Sequence, residues 1–294
     1  MIKLQSVLFF FSFLIVLISC SKEEDVNYKI NDDENFKLTI ENGDPCVDSS
    51  FEITKECVLL SDQELYDTYN DTIWKYNVLL PPEYNSEKKY PVLYLLHGKD
   101  ANGKVWTTAL KLKRTAEVYY TKGLNDIIIV FPDADNTYYM DDYQYPIKYE
   151  TYFNKVLRPY IETTYSVSPQ RRNHYIGGWS MGGYGAAYYS FKYCEDFSFC
   201  YAMSAKITGK EQEKIPSLFD LINDTKGNPY TPYIILDIGE SDSFLQSNLD
   251  THWLLTDLEI PHELILREGG HEIEFWQKGL YYLFDRLDKF MKKQ

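Results

Sequence analysis

Metal-site cysteines, basic charge and long apolar spans are all scarce in this 294-residue chain. Its five cysteines (20, 46, 57, 194 and 200) form no CxxC pair and no Cys/His cluster, which argues against a structural zinc. Lys and Arg number 30 against 44 Asp and Glu, a formal charge of −14. Such a balance argues against nucleic acid or an anionic membrane surface as a partner. Val7 to Ile18 is almost wholly apolar, but it is short for a spanning helix. After residue 72 there is neither an internal repeat nor a proline- or glycine-rich linker, so one catalytic domain is expected over 73–294. Residues 35–72 read as an N-terminal strand or extension.

Aromatics are abundant, with 27 tyrosines. A tyrosine-rich surface suits sugar or aryl stacking, although most tyrosines serve as half-buried packing residues. The segment 138–152 is a lid or sugar platform on one reading. The N-terminus pairs a positive Lys3 with the apolar core 7–18, as a secretory signal over 1–19 does. The core ends in "LISC", which resembles the lipobox of bacterial lipoproteins, with Cys20 as the lipidated residue; the alternative is a plain secretory signal. Residues 20–34 are polar and acidic, as in a solvated tether. The expected location is therefore outside the cytoplasm, periplasmic or on the cell surface, held by acyl chains. Export permits disulfides. Cys46–Cys57 and Cys194–Cys200 are the local pairings, but spacing does not choose among three connectivities.

From residue 72 onward, strand-like and helix-like segments alternate. The runs "YPVLYLLHG" (90–98) and "DIIIVFPD" (126–133) are continuously apolar, as strands buried on both faces are. Further strands are expected at 73–81, 173–178, 197–205, 232–239 and 262–268. Helical spacing covers 104–121 and 149–165, the latter disturbed near Pro159, and helices follow residue 180 and close the chain. The alternation predicts an α/β fold, a mainly parallel sheet with helices on both faces.

Three residues stand just past strand ends, where an open parallel sheet gathers its functional groups. Ser180 lies in "GGWSMGG", Asp242 in "GESD" and His271 in "EGGH". Gly178-x-Ser180-x-Gly182 is the nucleophile-elbow pattern, and serine, acid and histidine follow in the order of α/β-hydrolases. Glycine two residues on either side removes a collision in a sharp turn. The expected roles are Ser180 as nucleophile, His271 as general base and Asp242 as the acid that orients it. Glu240 is a weaker alternative, and Asp237 lies within a strand. Backbone N–H groups of Met181 and Lys99 are the candidate oxyanion donors. Asp100, Trp106 and Trp179 are candidate pocket residues, with a solvated loop and helix packing as the plain alternative for Asp100 and Trp106. His97 reads as a residue shaping the oxyanion loop. The chemistry calls for no metal and no cofactor.

With these residues placed, the chain resembles the α/β-hydrolase family that includes esterase D, feruloyl and acetyl-xylan esterases, enterochelin-type esterases and mycolyltransferases. The resemblance runs from about 73 to 285 and rests on "LLPPEYNSEKKYPVLYLLHG", "IIIVFPDADNTYYMDDY", "RPYIETTYSV", "YIGGWSMGGYGAAYYSFKY", "GESD" and "EGGHEIEFW". It implies a serine carboxylic-ester hydrolase acting on acyl groups, feruloyl or acetyl, of polysaccharides. Siderophore-trilactone hydrolysis, acyl transfer and non-catalytic glycan binding stay as alternatives. Trp179 departs from the smaller residue the family more often has before the nucleophile, which leaves the pocket's shape open.

Overall fold

The apolar runs do become buried strands. In the computed structural model, which describes residues 36–41, 43, 45–46, 50–143, 146–207 and 215–294, nine strands form one sheet. The signal segment, Cys20 and the tether lie outside the described residues. The strands are β1 (Phe36–Glu41), β2 (Val58–Asp67), β3 (Thr72–Leu80), β4 (Val92–Leu96), β5 (Ile128–Pro132), β6 (His174–Trp179), β7 (Phe199–Met203), β8 (Tyr233–Gly239) and β9 (His262–Arg267). Their spatial order is β1-β9-β8-β7-β6-β4-β5-β3-β2. Every pairing from β1 to β5 is parallel, and β3 then pairs antiparallel with both β5 and β2.

The helices are α1 (Val105–Thr108), α2 (Leu112–Thr121), α3 (Tyr149–Tyr152), α4 (Arg158–Thr164), α5 (Met181–Lys192), α6 (Leu218–Asp224), α7 (Leu245–Asp257) and α8 (Ile273–Lys292). Because side chains alternate across a strand, β4 feeds two cores. Val92, Tyr94 and Leu96 join one cluster with residues of α5, while Leu93 and Leu95 join a second with residues of α2 and α8. The mean alternation of strand and helix thus covers both sheet faces, as a parallel sheet needs.

Several boundaries differ from expectation. The stretch 35–72, read as an N-terminal strand or extension, contributes in its described part both edge strands, β1 beside β9 and β2 beside β3. The helical stretch 104–121 is two helices, divided where Lys111 takes a left-handed φ of 60°. Pro159 sits in the first turn of α4, directly after a π-helical turn over Phe153–Leu157. Proline has no N–H to give, so the helical ladder loosens just before it instead of breaking. Of the tyrosine-rich segment, Tyr138, Tyr139, Tyr143, Tyr149 and Tyr152 are buried in the core, which removes the lid and platform readings for these five rings. No disulfide forms among the described residues. Cys57, Cys194 and Cys200 are buried thiols, and burial raises the Cys57 and Cys200 thiols to about 12.

Candidate active site

The turn between β6 and α5 is tightly packed. Ser180 takes φ 55° and ψ −117°, a left-handed conformation that a side-chain-bearing residue rarely holds. Its N–H donates to the Met203 carbonyl at 2.9 Å and its carbonyl accepts the Tyr184 N–H at 3.0 Å. The two flanking glycines are required by sterics. A Cβ on Gly178 would lie 2.4 Å from the Gly182 oxygen, and one on Gly182 would lie 2.1 Å from the Leu96 oxygen. Turn and strand β4 are thus in backbone-to-backbone contact, and Ser180 is the residue pushed out at the head of α5.

The loop after β9 brings His271 to it. Ser180 Oγ–H donates to His271 Nε2 at 2.9 Å, and His271 Nδ1–H donates to Asp242 Oδ2 at 3.0 Å. His271 keeps 31% of its side chain exposed, while the Asp242 carboxylate is covered. Two rings stand edge-on to the imidazole, Phe244 at 5.1 Å and Trp276 at 4.9 Å between centroids. Burial pushes the Asp242 carboxyl up, but the hydrogen bonds from His271 and from the Phe244 N–H (2.9 Å) outweigh it and hold it below its usual range. A hydroxyl, an imidazole and an ionised carboxylate joined in this order can generate a nucleophile near neutral pH.

The rival groups are placed elsewhere. Asp237 is fully buried in β8, paired with Arg267 at 2.8 and 2.9 Å and with the Tyr201 hydroxyl at 2.8 Å. Glu240 is exposed at the start of the same loop. His174 is tied to the Ser168 carbonyl at 2.6 Å, and His252 and His262 bond to one another at 2.7 Å. His97 ties the loop after β4 to the loop after β5. Its Nε2 accepts the Ala134 N–H at 2.9 Å and its Nδ1–H donates to the Gly98 carbonyl at 2.8 Å. The Tyr139 hydroxyl caps the His97 carbonyl at 2.8 Å.

Lys99 follows Gly98 in the loop so held, and Met181 opens α5, where the first N–H groups have no partner within the helix. Asp100 sits at φ 59°, locked to Asn136 by two bonds: its N–H donates to Oδ1 at 2.8 Å, and Asn136 Nδ2 donates to its carboxylate at 2.7 Å. The two residues, with Ala101, Asp135 and Ile147, line an open cleft of about 460 Å³. Trp106 is not a pocket residue: α1 buries it completely in the core formed with α2 and α8. Trp179 is not one either. It packs flat on Trp276 at 4.0 Å, and its ring fills the space a Cβ on Gly98 would need. The wide ring therefore acts as a spacer between Gly98 and Trp276, the aromatic that stands edge-on to His271. Asn136 and Trp276 lie within motifs that carry the family resemblance, but no role was read for them or for Phe244, which follows Asp242 by two residues.

Residues 70–283 match the model of the family described as "Putative esterase". An acetyl esterase from Caldicellulosiruptor saccharolyticus is 28% identical over 232 residues, covering 67% of this chain and 83% of that protein. Endo-1,4-beta-xylanase Y from Acetivibrio thermocellus is 26% identical over 208 residues, which are 64% of this chain and 18% of that longer enzyme. Among solved structures, a ferulic acid esterase superposes with a TM-score of 0.73 at 28% identity, covering 81% of this chain and all (100%) of that one. An S-formylglutathione hydrolase from Staphylococcus aureus has the same fold at 18% identity, with a TM-score of 0.67 over 80% of this chain and 97% of that one.

Proposed function

The chain belongs to this esterase family and is a carboxylic-ester hydrolase, and from that premise we propose that it works through a Ser180–His271–Asp242 triad on acyl groups, acetyl or feruloyl, carried by polysaccharides. The observation that carries the mechanism is the pair of hydrogen bonds, 2.9 and 3.0 Å, linking hydroxyl, imidazole and carboxylate. His271 Nε2 takes the Ser180 proton as Oγ attacks the ester carbonyl. The N–H groups of Met181 and Lys99 receive the negative charge on the carbonyl oxygen. Asp242 holds the Nδ1–H tautomer and stabilises the imidazolium, which then protonates the leaving alcohol. Water, deprotonated by the same imidazole, releases the acid from the acyl-serine and restores the hydroxyl.

The polysaccharide part draws support from the relatives. One is an acetyl esterase, one a ferulic acid esterase, and one a xylanase that contains a matching region. The leader supports the same reading. Lys3, the apolar 7–18 run and Cys20 suit an exported, lipid-anchored enzyme that meets polymers outside the cytoplasm.

A substrate panel tests both parts: an aryl acetate, methyl ferulate, acetylated xylan and feruloylated arabinoxylan, with wild type and Ser180→Ala side by side. Ser180→Ala is expected to lose at least about 10⁴-fold in kcat/KM on every ester that wild type cleaves, with its melting temperature retained. Undiminished cleavage by Ser180→Ala would overturn the triad. Cleavage of the small esters alone would overturn the polysaccharide assignment.

A further inference from the structure

The hairpin between β2 and β3 takes no part in that chemistry, yet its tip rises on the active-site edge of the sheet. Tyr76 of β3 is opposite Pro132, the last residue of β5, so Thr72 to Lys75 run on past the carboxyl end of β5. Four strand residues reach about 13 Å beyond that edge. In the order β6-β4-β5-β3, the hairpin lies three strands from the strand that ends at Ser180, a lateral offset of about 14 Å.

The tip is built around one buried carboxylate. Asp67 is fully buried and accepts the Tyr69 N–H at 2.9 Å, the Trp74 Nε1–H at 3.1 Å and the Asn70 amide. Asn70 then fastens the tip to the next loop, its Oδ1 accepting the Lys148 N–H at 2.7 Å and its Nδ2 donating to the Lys148 carbonyl at 3.3 Å. Outward from this frame point Tyr66, Tyr69 and Ile73, with exposures of 52%, 51% and 58%. Tyr66 is directly opposite Ile73 in the strand register, so their Cβ atoms lie about 5 Å apart. The Tyr66 hydroxyl donates to Asp71 at 2.5 Å, which pins the ring while leaving it exposed. The frame is continuous with the active site. Lys148 adjoins Ile147, Ile147 lines the cleft with Asp100 and Asn136, and Asp100 adjoins Lys99.

We propose that Tyr66, Tyr69 and Ile73 form a sugar-stacking platform that holds the polysaccharide chain of the substrate at a distance from the ester being cleaved. The proposal rests on the polysaccharide reading above. A phenol ring offers an apolar face to the C–H groups of a pyranose and a polar edge to its hydroxyls. With the Tyr66 hydroxyl held by Asp71 and the Tyr69 backbone held by Asp67, the platform loses little freedom on binding. The occupant is a neutral glycan: Asp71 at the tip, the cleft's Asp100 and Asp135 and the net charge of −14 all disfavour a polyanion.

Two measurements test it. The first is the ratio of kcat/KM on feruloylated arabinoxylan to kcat/KM on methyl ferulate. The Tyr66→Ala/Tyr69→Ala double variant is expected to lower that ratio about tenfold, mainly through KM on the polymer. The Tyr66→Phe/Tyr69→Phe variant, which keeps both rings, should restore most of it. An unchanged ratio in the alanine variant, or a phenylalanine variant as impaired as the alanine one, overturns the platform. The second measurement removes catalysis: Ser180→Ala protein, with and without the two alanines, is run through native gels containing arabinoxylan or polygalacturonate. Retardation by arabinoxylan alone, lost with the tyrosines, is expected. Retardation indifferent to the tyrosines overturns the platform and leaves the esterase reading intact. Tyrosine-dependent retardation in an enzyme that frees no acid from any polysaccharide ester would do the reverse.

Discussion

The serine side and the histidine side of the site are held in different ways. On the serine side, backbone touches backbone: a Cβ on Gly182 would meet the Leu96 oxygen at 2.1 Å. On the histidine side the loop is tight only at its base, where a Cβ on Gly239 would lie 2.3 Å from the Gly269 oxygen; next to His271 itself there is room, the nearest atom to a Cβ on Gly270 being 3.6 Å away. His271 is positioned instead by side chains, the Asp242 carboxylate below and the edges of Phe244 and Trp276 around it. Ser180, the proposed nucleophile, is therefore placed by what the chain leaves out, and His271, the proposed base, chiefly by what distant segments add. A strained serine needs rigid backing, since φ 55° persists only where its surroundings enforce it. A base must accept and return a proton within one cycle, and partial exposure suits that exchange.

The largest expected effect comes from taking away the side-chain hold. Asp242→Asn should lower kcat by roughly 10³- to 10⁴-fold, because an amide donor at that place favours the wrong imidazole tautomer. Its melting temperature should hardly move. Steady-state kinetics on methyl ferulate decide this, and a loss below tenfold would mean that Phe244 and Trp276 orient His271 without the carboxylate. Next is the contrast between glycines. Gly182→Ala should cost more than about 4 kcal/mol of stability, since the methyl group meets backbone that cannot withdraw. Gly270→Ala, with ordinary clearance and no left-handed φ, should cost less than about 0.5 kcal/mol. Urea denaturation of the two variants reads both; equal midpoints would erase the contrast between the two glycines.

That same asymmetry governs what could be read in advance. Ser180 and its glycines were legible because a steric demand of the backbone is written locally, within five residues. Asp242 and His271 were legible from chain order and from their places after strands. The bracing of His271 was not, because Trp276 lies inside α8 and Phe244 just before α7, where an aromatic reads as ordinary packing. Trp106 and Trp179 failed as pocket residues for the same reason: an indole near a functional loop carries no mark of which way it faces. The sheet was legible from its continuous apolar runs, but its two edges were not. β1 pairs with β9 across more than two hundred residues, and nothing in "FKLTIE" announces that partner. The short hairpin tip at 67–71 also escaped, since its organiser, Asp67, looks like any turn aspartate until its three donors are seen.

The loop after β4 gives an effect read as a pH slope and not as a loss of activity, and it tests whether the serine side is as fixed as its backbone contacts imply. His97 bridges Ala134 and Gly98 as a neutral imidazole. The Ala134 N–H can only donate, so Nε2 must accept and the proton must be on Nδ1. A second proton would point at that N–H and break the bridge. Complete burial holds the His97 pKa down to about 4, against an ordinary value of 6.5. In the unfolded chain His97 takes up its proton near 6.5, and in the fold only near 4. The unfolded state therefore binds more protons between those values. The contribution is full above pH 6.5 and is lost as pH falls toward 4, on the order of 3 kcal/mol in all. His252 and His262, also buried and also lowered, add a slope of the same sign. They remain in a His97→Gln variant, so the difference between the two proteins isolates His97. His97→Gln should begin less stable at pH 7.5 and lose less than wild type between pH 6.5 and 4.5. Parallel pH profiles of the denaturation midpoint would show that the loop does not depend on a neutral imidazole.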